Sequence, residues 1–267
     1  MPYVNNFVVC GHMTADIQTV QGQNGNTCYF TLAVNRGKDA VDFIPVRVSE
    51  KFIAKTRDRF VKGAAVLVTG RVESGSYKDK NGNSRSFFHV SPETIQTGVN
   101  GNFNAGILFG NFTADPEMRQ TQTGKNVISF SVGSTRRYKD ANGEWKDAQT
   151  SFINVSAWNG TADFIGKYFK KGAPILMQGS LRSNQYTAKD GSKRTSYDFV
   201  ANTVSFASRP DNAGNGAANN AASQQAPVQA APAPAANPAP AQAAAQYSVP
   251  DEYADFGEII DDGDLPF

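Results

Sequence analysis

"FVKGAAVLVTGRV" (Phe60–Val72) and "FKKGAPILMQGSL" (Phe169–Leu181) are two spellings of one pattern. Both run Phe-x-Lys-Gly-Ala, pass through alternating apolar residues and break at a second glycine. The match continues outward in constant order. "VVCGHMTAD" (8–16) pairs with "ILFGNFTAD" (107–115), and "FTLAVNR" (30–36) with "FSVGSTR" (130–136). "FIPVRV" (43–48) pairs with "FINVSA" (152–157), and "YKDKNG" (77–82) with "YTAKDG" (186–191). The offset grows from 99 to 109 because the second unit is longer between Arg136 and Phe152. A period near 100 is too long for a solenoid. It predicts two copies of one domain, 1–98 and 103–208, joined around "GVNGNFN" (98–104).

Each repeat reads as short β-strands between turn signals. Asn81-Gly82 and Asp190-Gly191 are hairpin dipeptides of the type I′ kind. One stretch per repeat has helical spacing instead: Phe52, Ile53 and Phe60, and Phe164, Ile165, Tyr168 and Phe169, with Gly63 and Gly172 as stops. Three strands, a helix and a hairpin pair is the order of the OB-fold, a five-stranded Greek-key barrel that commonly binds oligonucleotides. The expected class is all-β: two tandem five-stranded OB-fold barrels, each with one short helix, then a disordered C-terminal tail.

The tail follows from composition. Residues 209–246 are Ala/Pro/Gln-rich without large hydrophobes and cannot form a core. Residues 247–267 are acidic and finish "DDGDLPF". The formal net charge is +2, but residues 1–208 hold 25 basic and 16 acidic residues, a net of +9. A basic body suggests a polyanion partner.

Other classes find little support. Cys10 and Cys28 fit neither a zinc spacing nor a disulfide framework and read as small core hydrophobes. His12 and His89 lie in no catalytic motif, and no phosphate-binding glycine loop occurs. No catalytic residue, metal or cofactor is expected. No apolar run reaches membrane-helix length and the N-terminus lacks a signal-peptide pattern, so a soluble, cytoplasmic protein is expected.

Strand alternation marks a binding face. In the second repeat Ile153, Val155 and Ala157 point to the core, and Phe152, Asn154, Ser156 and Trp158 point away. Arg182 and Tyr186 project similarly from the next strand. Rings on which bases stack, beside cations that neutralise phosphates, suit single-stranded nucleic acid. The loop "STRRYKDANGEWKDAQ" (134–149) adds Arg136, Arg137, Tyr138, Lys139 and Trp145. The first repeat offers less: Phe43, Arg47 and Tyr77, with Ser49 in the place of Trp158 and Glu73 in the place of Arg182. The second repeat is therefore expected to bind nucleic acid more strongly.

"NAGILFGNFTADPEMR", "GEWKDAQTSFINVSAWN", "YFKKGAPILMQGSLRSNQY" and the terminal "DDGDLPF" together resemble the bacterial single-stranded DNA-binding proteins. The resemblance implies OB-folds that wrap and protect single-stranded DNA in replication, recombination and repair. Family stacking aromatics fall on Phe152, Trp158, Tyr186 and Tyr138, and in the first repeat on Phe43 and Tyr77. Members commonly carry Trp where Phe152 and Tyr186 stand and His where Ile153 stands. Most have one OB-fold per chain and form tetramers, and some with two folds dimerise, so a homodimer is implied. The resemblance also implies that the tip, Asp261, Asp262, Asp264, Leu265, Pro266 and Phe267, docks onto genome-maintenance proteins. Two alternatives remain at this level, an RNA-binding or RNA-chaperone OB protein and a protein-interaction adaptor.

Overall fold

The computed structural model describes residues 3–22, 25–38, 40–78, 82, 84–121, 123–187 and 191–207. The linker 209–246 and the tip 247–267, with Asp261, Asp262, Asp264, Leu265, Pro266 and Phe267, lie outside the described residues, as do Asn81 and Asp190. The hairpin glycines that follow those two residues have the positive φ that such turns demand, 79° at Gly82 and 80° at Gly191.

The first repeat contains β1 (Asn5–Met13), β2 (Gln18–Val20), β3 (Thr27–Asn35), β4 (Val41–Ser49), α1 (Glu50–Ile53), β5 (Ala65–Lys78) and β6 (Ser84–Thr97). The second contains β7 (Phe103–Phe112), β8 (Glu117–Gln120), β9 (Asn126–Ser134), β10 (Arg137–Lys139), β11 (Trp145–Asp147), β12 (Ser151–Trp158), α2 (Asn159–Tyr168), β13 (Pro174–Thr187) and β14 (Lys193–Phe206). Both close in the same way. β1 pairs with β5 and β3, β3 with β4, and β5 with β6. The ring is completed by a parallel contact of β4 with β6 at Val46–Val90. β7, β9, β12, β14 and β13 repeat this circuit, with the parallel contact at Val155–Phe199. These are two five-stranded OB barrels.

The glycine repeated in the opening stretches, Gly70 and Gly179, sits at a β-bulge in each hairpin. A Cβ there would run into the Ser91 carbonyl in the first repeat and the Val200 carbonyl in the second. The long hairpin can bend across its barrel only with glycine at this point.

The helices differ from expectation in extent. α2 covers 10 residues, whereas α1 stops after four and is followed by a 3₁₀ turn at Arg57–Arg59. Thr56 accounts for the stop: its backbone N–H and its hydroxyl both donate to the Ile53 carbonyl, closing a tight turn in place of the helical ladder.

The barrels join edge to edge. β1 and β7 run antiparallel with Asn5 opposite Leu108 and Cys10 opposite Phe103. Phe7 faces Gly106, its counterpart under the 99-residue offset, so a pseudo-twofold axis passes between them. Phe7 is fully buried, and its ring occupies the space that a Cβ on Gly106 would need. A second pair of counterparts, Phe88 and Tyr197, stacks across the axis at 4.7 Å and 5°.

Several cross-strand rows on one face of the strip β6-β5-β1-β7-β13-β14 consist of uncharged residues on the strands β5, β1, β7 and β13. Cross-strand partners there include Leu67, Cys10 and Phe103, then Thr69, Val8 and Ala105, then Asn6, Ile107 and Gln178. Phe103 and Ile107 are exposed.

Candidate nucleic-acid interface

β12 alternates as a half-buried strand should. Ser151, Ile153, Val155 and Ala157 are buried, while Phe152 and Trp158 stand 57% and 42% exposed on the other side. At about 3.3 Å per residue the two rings lie roughly 20 Å apart along the strand. Tyr186, 50% exposed, extends the aromatic surface on the β13–β14 hairpin. Between the rings the floor is small and polar. Register places Ser129 beside Ser156 and Ser131 beside Asn154. A cavity of about 300 Å³ opens there, lined by Ser129, Phe130, Asn154, Val155, Ser156 and Asp198.

The β10–β11 hairpin forms the second part of the surface and has no counterpart among the described residues of the first repeat. Its turn is set by Asp140, whose carboxylate accepts from the Asn142 and Glu144 N–H groups at 2.9 Å each, with Gly143 at φ 79°. The hydrogen bond from Lys146, reinforced by these N–H groups, holds the Asp140 carboxyl below its usual range. Trp145 is 59% exposed. Arg137 and Lys139 lie over its ring at 5.8 and 5.3 Å, and Arg136 lies 5.6 Å from the Tyr138 ring. Cations held over rings offer charge and a stacking plane together.

Arg182 is placed differently. The sequence reading has it lining a groove, but its Nη1 meets Asp42 Oδ2 of the first repeat at 3.0 Å. Asp42, 1% exposed, also pairs with Arg36 at 3.3 Å and accepts the Ser183 N–H at 3.2 Å. Nearby, Ser183 Oγ accepts from the Phe43 N–H at 2.7 Å. The counterpart of that contact is Ser74 Oγ donating to the Phe152 carbonyl at 2.6 Å. Arg182 thus holds the repeats together, and the signal for it lay in a residue 140 positions away.

In the first repeat the matching face is filled. Tyr77 is buried against Tyr29, with Val20 and Phe87 packed around them. Pro45 is buried, and Phe43 and Arg47 are half-buried. His89 is fully buried, stacks on Phe87 at 5.4 Å and reaches Glu73 Oε2 with Nε2 at 3.2 Å. Burial alone would raise the Glu73 carboxyl. The His89 hydrogen bond and the nearby positive charge outweigh it and hold the carboxyl at about 2. Burial pushes the His89 imidazole below its ordinary value, against the pull of Glu73. Sequence reasoning overlooked Tyr29 and His89 as plugs, and Ser129 and Asp198 as openings. Alternation in "TCYFTLAVN" and "SYDFVANTV" carries that signal once the register is known.

Known proteins share this fold. The family model described as single-strand binding protein family matches residues 4–97 and again 103–207. The single-stranded DNA-binding protein of Neisseria meningitidis serogroup B is 36% identical over 112 residues, 42% of this chain and 64% of that protein. That of Deinococcus radiodurans is 32% identical over 178 residues, 60% of this chain and 58% of that protein. The chain therefore spans less than two thirds of the length of these curated relatives. The crystal structure of the single-stranded DNA binding protein from Thermus aquaticus superposes with a TM-score of 0.63 at 23% identity, covering 80% of this chain and 98% of that one. Two family matches in tandem, each on a closed five-stranded barrel, establish that the chain belongs to the single-strand binding protein family.

Proposed function

We propose that this chain binds single-stranded DNA without sequence dependence and protects it during replication, recombination and repair, acting as a binding protein and not as an enzyme. The observation that carries the reading is the exposure of Phe152, Trp158, Tyr186 and Trp145 in one repeat, with Arg137 and Lys139 held over Trp145. The main DNA path runs over the second repeat, across Phe152, Trp158 and Tyr186, with Tyr138, Arg136, Arg137 and Lys139 on its flank. Phe43, Arg47 and Tyr77 of the first repeat contribute less. Work on the nucleoid in the cytoplasm suits this role, and among the described residues no helix is long and apolar enough to cross a membrane.

The acidic tip recruits genome-maintenance proteins: its acids are drawn to a basic rim while Phe267 fills an apolar pocket. The chain forms a homodimer through the face around Phe103 and Ile107. Six strands about 4.8 Å apart, used over roughly 20 Å, bury on the order of 500–600 Å² per partner, near the lower limit for a specific interface.

Titrating Trp fluorescence with oligo-dT, alongside light scattering, tests the reading. Strong quenching is expected, with affinity falling by about 0.7 log units per log unit of salt for each phosphate neutralised, at the mass of a dimer. Salt-independent binding, or preference for matched oligo-U, would overturn it. Deleting Asp261 to Phe267 should abolish partner capture and leave DNA affinity unchanged or slightly raised.

A further inference from the structure

The last turn of α2 and the end of β14 share an aromatic cluster that the DNA path leaves unused. Phe164, Tyr168 and Phe206 meet pairwise at 5.0, 5.3 and 5.9 Å, and Phe206 also stacks on the buried Phe169 at 5.0 Å and 16°. Tyr168 is 51% and Phe206 60% exposed. Lysines accompany the rings. Lys167 Nζ lies 5.0 Å from the centre of the Tyr168 ring, and Lys170 and Lys171, both exposed, follow Phe169 directly. The one acid of α2, Asp163, accepts from Asn126 Nδ2 at 2.8 Å, and Asp115 accepts the Lys171 N–H at 2.8 Å. α2 starts directly after Trp158, so its last turn lies about 15 Å along the helix from that residue.

The barrel does not need these rings. Under the 109-residue offset the first repeat has Lys55, Arg59 and Thr97 where the second has Phe164, Tyr168 and Phe206, and it closes all the same. Large apolar side chains gathered on the surface of one repeat alone mark a place that something covers.

The chain supplies a matching occupant. β14 ends at Phe206, so the C-terminal part of the chain departs from the cluster itself. Within it, "DEYADFGEII" (251–260) holds four acids, no base and four large apolar residues, Tyr253, Phe256, Ile259 and Ile260. Its acids complement the lysines and its apolar side chains the rings. A separate molecule fits less well. A covered aromatic ring buries roughly 150–250 Å², so two half-exposed rings offer on the order of 200 Å², against about 800 Å² per partner in a stable complex. A tethered segment needs far less area. Residues 207–252, 46 in number, have an r.m.s. span of roughly 35–40 Å when treated as a flexible coil, and such a tether gives an effective concentration on the order of 1 mM.

We propose that the cluster of Phe164, Tyr168 and Phe206, with its lysines, is the docking site for this chain's own segment 251–260. Docked there, the segment anchors residues 261–267 beside α2 and shortens the reach at which they recruit partners. The docking stands apart from the single-stranded DNA reading; the shortened reach rests on the recruitment proposed above.

The test follows the amides of the full chain by NMR in the unaltered protein and in two double variants, Tyr168→Ser/Phe206→Ser and Phe256→Ser/Ile260→Ser. A contact with a dissociation constant near the effective concentration leaves about half of the chains docked, so the amides of 251–260 should exchange with water about twofold more slowly in the unaltered protein than in the ring variant. The difference should vanish between about 0.05 M and about 1 M salt. The tail variant leaves both barrels untouched and should shift the amides of Lys167 to Lys171 and of Phe206. Equal exchange in the unaltered and ring-substituted proteins, or no shift at α2 in the tail variant, would sink the proposal. Protection that grows with protein concentration would seat a second copy's segment on the rings and overturn it as well. The ring variant should keep its oligo-dT affinity; a loss as large as that of Trp158→Ala would give the cluster to DNA.

Discussion

Position for position, the two repeats put opposite side chains on the same face. Tyr29, Pro45, Arg47 and His89 fill the first, while Ser129, Asn154, Ser156 and Asp198 leave the second open. The backbones trace one circuit of strands, so topology cannot be the cause. Side-chain volume is. Interiors pack to near-crystalline density, and a few large residues suffice to turn a groove into core. Fold similarity therefore says little about which half of such a chain works.

The contrast can be broken or sharpened at several points. The largest effect is expected where the repeats meet. Phe7→Ala should cost about 3–5 kcal/mol in denaturant unfolding, because the ring is fully buried over Gly106 and nothing else fills that space. A cost under 1 kcal/mol would mean the repeats are held without it. Arg182→Ala should lower stability by about 2–3 kcal/mol, since Asp42 would keep only Arg36 as a cation. Its salt slope for DNA should stay as it was, and a reduced slope would return Arg182 to the groove.

Next in size are the binding rings. Trp158→Ala should weaken oligo-dT binding by about 1–3 kcal/mol in an anisotropy titration, and Phe43→Ala by much less. The reverse ranking would overturn the assignment of roles to the two repeats.

Acid gives the smallest and most discriminating contrast. Glu73 has a lowered carboxyl pKa of about 2 and His89 a lowered imidazole pKa. Their contribution is present near neutral pH. It declines below 6.5 as His89 protonates, and again from 4.5 toward 2 as Glu73 does. Asp198 is raised, so its contribution has the opposite sign, present below 3.8 and lost as pH rises through its folded value. Glu73→Gln should accordingly flatten the acid-side fall of Tm, and Asp198→Asn should steepen it. Parallel shifts in the two variants would show that these groups do not govern it.

Much of this architecture is written in local pattern. The offset repeat and the alternation in "FINVSAW" lead to two barrels and to outward rings at Phe152 and Trp158, and the structure exposes both. What local pattern misses is set by distant partners. Alternation turns Tyr77 outward as it does Tyr186, yet Tyr29 on β3 and Phe87 on β6 cover the first, and among the described residues the second stays half exposed. Arg182 reads as a free cation until Asp42 is brought to it. The stop of α1 at Ile53 depends on a threonine turn that apolar spacing does not register.

The meeting of Phe7 with Gly106 also bears on ancestry. A chain built from two first repeats would drive ring against ring at the axis, and one built from two second repeats would leave a hole there. The halves have become lock and key. Neither can be replaced by a duplicate of the other without repacking this contact, and recombination between their similar coding stretches would be selected against here.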